Sequence, residues 1–188
     1  MVMHKISQIF KKLVSARGIM LAEVNSMSPQ QQQFRSSADA WSALDIVNHL
    51  VVSEQATFQF IAIHRDPTRM PQRRQWHHSL RLSLMMFALK SPLKFKMPSR
   101  LPNPQTQKEL SLLRSEWLEI QEKLSQYAQH QTDDFFNLPV FRHPIFGTLD
   151  FYATLLFLTE HINHHVHQIQ RLRKAENFPA KVLDTSLL

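Results

Sequence analysis

Over long stretches of this chain, apolar residues recur every three or four positions, the period of an amphipathic helix. Ile6, Ile9, Phe10, Leu13, Ile19 and Met20 fall on one such face and predict a helix from about Met3 to Asn25. Pro29 and the polar run Gln30 to Gln33 then break the pattern. A second helix is expected from Trp41-Ser42 to about Ile63, with Ser42 placed to cap its first turn. It is apolar around much of its circumference, as a central helix would be. A third follows Asn103-Pro104, with Thr106 as cap and Glu109 three residues on, and runs to about Ala128. The fourth starts after Gly147-Thr148 and extends to about Ala175. Helices of this length measure about 30 Å. Four of them side by side give an all-α four-helix bundle, a single domain over residues 1–188.

Composition narrows the chemistry. Only 2 of the 188 residues are glycine, which argues against a glycine-cradled phosphate loop, and neither nucleotide-binding glycine pattern occurs. There is no cysteine, so disulfides, thiolate metal sites and a cysteine nucleophile are excluded. No apolar run is long enough to cross a membrane, and the first residues lack the features of a secretory signal, so a cytoplasmic protein is expected.

The formal charge is +7, and it is unevenly placed. Residues 64–104 carry nine basic residues against one acid, Asp66, while the rest of the chain has 13 basic and 14 acidic residues. This connection between the second and third helices is too long for a simple loop and is expected to carry structure of its own. Within it, Ser79 to Lys90 reads as a short amphipathic helix stopped by Ser91-Pro92. The basic insertion is either a solvated flap or a surface for an anionic partner, such as an acidic substrate or a membrane surface. Aromatic residues do not interleave with its charges, so no nucleic acid is expected. The apolar face of Leu84, Met85, Met86 and Phe87 needs cover, either from the bundle or from a second copy in a homodimer.

Eleven histidines are present, four of them within seven positions: His161, His164, His165 and His167. On the fourth helix, Phe151, Leu155, Leu158, Ile162, His165, Ile169 and Leu172 form the seam facing a bundle core, so His165 sits where an apolar residue belongs. His161 lies one turn earlier and about 40° around the axis, so the two imidazoles can share one spot. Two histidines four apart on a helix offer a metal two nitrogen ligands, and a stable site needs a third. His49 on the second helix is the candidate, although the strongest apolar stripe there (Leu44, Val47, Val51, Phe58) points elsewhere. The alternative is three hydrogen-bonded core histidines. His164, His167, His4, His64, His77, His78 and His130 read as rim or surface residues. Gln168 and Glu54 are candidates to orient the ligands from outside; for Glu54 the competing reading is a buried bond to backbone or to a neighbouring helix. His143-Pro144-Ile145-Phe146-Gly147 reads as architectural, with a pocket-lining role for His143 as the alternative.

Three motifs, Trp41-x7-His49-Leu50, His143-Pro144-x2-Gly147 and His161-x3-His165-x2-Gln168-Ile169, together resemble the DinB-like superfamily. These are four-helix bundles that include YfiT-like proteins and bacillithiol- and mycothiol-dependent enzymes. The resemblance covers nearly the whole chain. It implies a divalent ion, zinc or nickel, on His49, His161 and His165. It implies further an enzyme of thiol S-transferase or hydrolase type that acts on a small-molecule substrate. A thiol cosubstrate of low molecular weight would have to supply any thiolate. The alternative is a non-catalytic metal-binding or stress-response module whose basic insertion contacts an anionic partner or membrane.

Overall fold

The computed structural model describes residues 2–63, 105–143 and 147–180. The first helix, α1, spans Val2–Asn25 and buries Ile6, Ile9, Leu13, Ala16, Met20 and Val24 along one stripe. Ile19, expected on that stripe, is 50% exposed. It is a 100° step from Met20, and the buried face is narrower than the pattern suggested. A short helix, α2 (Pro29–Gln33), forms where a break was expected. Ser28 and Gln31 close a reciprocal capping box around it, and Pro29 suits its first position because a missing amide costs nothing there.

Helix α3 (Ala43–Ile63) buries every one of its first nine residues, so it is central, as its composition implied. Ser42 caps it reciprocally with Asp45: the Asp45 amide donates to Ser42 Oγ at 3.1 Å and the Ser42 amide to Asp45 Oδ2 at 2.8 Å. Asp45, fully buried, also accepts Arg35 Nε and Nη2 at 2.9 and 3.0 Å and the Thr106 amide at 3.0 Å. One carboxylate thereby ties together the approach to α3 and the segment around Thr106.

Helix α4 (Leu110–Gln129) begins four residues later than Thr106, with Glu109 at its cap. Thr106 instead accepts the Lys108 amide in a local turn. The expected helix over Ser79 to Lys90 lies outside the described residues. After α4, a 3-10 turn (Asp133–Asn137) leads to a two-stranded antiparallel hairpin, β1 (Pro139–His143) and β2 (Gly147–Asp150), which the helical reading did not anticipate. Pro139 starts a strand, where its missing donor is tolerated, and Val140 and Leu149 are buried. Gly147 takes φ 80°, a left-handed conformation that favours glycine. The last helix, α5 (Phe151–Leu172), is capped by Asp150, whose side chain accepts the Ala153 amide at 2.7 Å.

Contacts give the direction of each long helix. Asp45 meets Thr106, Glu54 meets Trp117 and Phe58 meets Tyr127, so α3 and α4 run in parallel. Phe10 packs on Phe151 and Glu23 pairs with Arg173, so α1 and α5 are parallel too. The first half of α3 faces the second half of α5 through His49, His161 and His165, so the two pairs are opposed. The bundle order is therefore up, down, down, up.

One feature of the core is ionic. Arg17 on α1 and Glu54 on α3 are 3% and 2% exposed. Arg17 Nη2 donates to Glu54 Oε1, and Arg17 Nε to Glu54 Oε2 at 3.2 Å. Trp117 Nε1 on α4 donates to Glu54 Oε2 at 2.8 Å, and Arg17 Nη1 donates to Gln121 Oε1 at 2.7 Å. Every charged atom of the cluster that could strand a proton or lone pair is thus used across three helices.

Candidate metal centre

Helix α5 places His161 and His165 one turn apart on the flank that faces α3. The two Nε2 atoms are 3.1 Å apart. His49 arrives from α3 with its Nε2 3.2 Å from that of His161. One ring nitrogen from each residue falls within 4.8 Å of the others. The three imidazoles meet edge to face, at centroid separations of 4.8 to 5.1 Å. The structure therefore brings together the three histidines that the sequence singled out, from two stretches more than a hundred residues apart.

Side chains around the trio fix its rings. Gln168 Oε1 lies 2.8 Å from His165 Nδ1, so Nδ1 carries the proton and Nε2 keeps its lone pair toward the centre. Phe157, four residues before His161 on α5, stacks on that imidazole at 5.5 Å and 11°. Trp41 lies against His49 at 5.0 Å and nearly parallel to His165 at 6.1 Å and 20°. Phe157 was missed in the sequence, although its spacing from His161 is the signal that would have found it.

The other candidates are placed differently. Glu54 is in the ionic cluster with Arg17 and Trp117, so of its two readings the structure gives the bond to neighbouring helices, and a role orienting the histidines is set aside. His167 is exposed, as expected. His164 is half-buried with its ring 5.4 Å from that of His165, closer than a purely surface position. His143 ends β1 opposite Gly147, and its ring meets Phe157 at 4.7 Å, so it is both part of the hairpin and a neighbour of the aromatic wall.

Burial disfavours the charged form of these imidazoles. It lowers His49 to about 4 and, with repulsion from His49, lowers His165 to about 3 despite the opposing bond to Gln168. His161 is pushed well below its ordinary value by burial first and by His165 and His49 next. His143 is lowered to about 4 by burial. All four are neutral at pH 7. Between about pH 6.5 and pH 4 the unfolded chain binds protons at these histidines and the folded chain does not, so stability falls as pH falls through that window and is flat above it. For the metal-free protein, chemical unfolding at a series of pH values should show a slope of up to about 1.4 kcal/mol per pH unit for each buried imidazole. A midpoint constant from pH 7 to pH 4.5 would contradict this.

The chain matches a known group. Residues 12–169 fit the model of the DinB superfamily, and the chain belongs to that family. Among solved structures it is similar to YfiT from Bacillus subtilis, described as a probable metal-dependent hydrolase with an unusual four-helix bundle topology. That likeness has a TM-score of 0.57 at 17% identity, over 89% of this chain and 85% of the other, and is one of fold. TT2238, a four-helix bundle protein, aligns over 89% of this chain and 98% of its own at 15% identity and a TM-score of 0.49. No curated protein matches the chain. Among the described residues no helix is long and apolar enough to cross a membrane.

Proposed function

We propose that His49, His161 and His165 hold a divalent ion, zinc or nickel, and that the chain is a metal-dependent enzyme of hydrolase or thiol-transferase type acting on a small molecule in the cytoplasm. The observation that carries this is the convergence of three neutral imidazoles with Nε2 separations of 3.1 and 3.2 Å. Ligands about 2.0–2.1 Å from a tetrahedral zinc stand about 3.4 Å from one another, so His161 is already near binding distance of both other ligands. Core histidines without a ligand gain little from this arrangement, since two facing nitrogens need one proton between them and three cannot all be satisfied.

Three protein ligands are the number found where a metal keeps a position for substrate. A bound ion there would lower the pKa of a coordinated water or thiol toward neutrality. The protein supplies the rest. Gln168 sets the tautomer of His165, and Phe157 and Trp41 hold ring planes and exclude water from one side of the site. The absence of cysteine means that a thiolate nucleophile comes from a cosubstrate. The printed description of YfiT supports the hydrolase side of the proposal.

Metal analysis of the purified protein, before and after chelation, is the direct test. About one equivalent of divalent metal per chain is expected, with a thermal shift from bacillithiol, glutathione or coenzyme A that disappears on chelation. Protein that takes up neither zinc, nickel nor cobalt at micromolar concentrations would rule the centre out. Metal uptake with no thiol response and no hydrolysis would leave a binding module.

A further inference from the structure

We propose that Trp41 is a positioning residue for the ligand trio, holding His49 on α3 and His165 on α5 in register with each other. The inference rests on the metal reading above and goes beyond it. Among the described residues, Trp41 is the one ring outside the trio that touches ligands from both helices. Its near-parallel stack on His165 fixes the plane of a ring whose rotation about its own axis Gln168 limits only at Nδ1. Its tilted contact with His49 closes the other side.

The indole is itself anchored. Its neighbour Ser42 is bonded twice to Asp45, and Asp45 is held by two bonds from Arg35 and one from the Thr106 amide. A fully buried carboxylate with that many partners cannot shift cheaply. The backbone at residue 41 is therefore a fixed point, and the side chain carries that fixity about two turns along the chain to His49. A mere apolar cover would not need a flat ring, and leucine would replace it. A ring that sets imidazole planes cannot be so replaced.

Cobalt binding to Trp41→Leu and Trp41→Phe, by titration and by the d–d absorption of the bound ion, separates the two roles. Fold is checked by far-ultraviolet circular dichroism and stability by melts of the metal-free proteins. Trp41→Leu should bind cobalt about 10-fold or more weakly, the scale at which outer partners of a metal ligand act, with a changed absorption spectrum. Trp41→Phe should stay within about threefold of the parent with its spectrum kept. If Trp41→Leu does not fold, Trp41→Met, flexible and apolar but not flat, takes its place. Leucine or methionine variants with the parent's affinity and spectrum, whatever their melting temperature, overturn the inference while leaving the metal centre standing. Failure of the parent protein to bind cobalt takes down both.

Discussion

Glu54→Ala is expected to destabilise the protein by about 3–5 kcal/mol, because it leaves the Arg17 guanidinium buried without its counter-charge. The loss is more than one hydrogen bond. Trp117 Nε1 loses its acceptor in the same step, and at 1% exposure it has no water to turn to. The paired replacement separates cost from contribution. Arg17→Met with Glu54→Leu removes both charges and keeps apolar volume, and buried pairs so replaced are often neutral or more stable. Urea unfolding of the two proteins should therefore give a large loss for the single variant and a loss of about 1–2 kcal/mol or less for the double, the remainder reflecting the stranded indole and Gln121. Equal losses in both would mean that the ion pair itself, and not its breaking, sets the energy.

His161→Ala should weaken metal binding by more than about 100-fold, beyond the range seen when only an outer partner of a ligand is lost. Of the three ligands, His161 stands between the other two, with its Nε2 at 3.1 and 3.2 Å from theirs. Its removal leaves the ion only His49 and His165, too few for a stable site. The same substitution removes an imidazole whose charged form burial disfavours, so the metal-free protein should not lose stability in proportion. Calorimetric titration of zinc into the parent and the variant, each stripped by chelation, reads the difference. Unchanged affinity would mean that the ion sits elsewhere.

Much of this was legible from periodicity. The four long helices lie where the three- and four-residue spacing put them, within a few residues at each end. The pairing of His161 with His165 followed from one helical turn. His49 did not follow from the stripe on α3, and the reason is physical: all of the first nine residues of that helix are buried, so an apolar stripe there has no power to say which way one side chain points. Its place on the most apolar helix made it the candidate, and the resemblance to a family, rather than the stripe, supplied its assignment as a ligand. The hairpin was missed because its strands are five and four residues long, too short for alternation to show. Glu54 was recognisable as an acid in apolar company. Its partner was not, because an arginine 37 residues earlier on an amphipathic helix reads as surface, and only the bundle brings it inside.

Parallel neighbours have a consequence for how this chain can vary. Had α3 and α4 been antiparallel, a turn of a few residues would have joined them. Because they run the same way, the chain must travel back along the whole of α3, about 30 Å. Some nine or ten extended residues suffice for that journey. Residues 64–104 exceed that need several times over, so the parallel pair requires a return path without fixing how long it is.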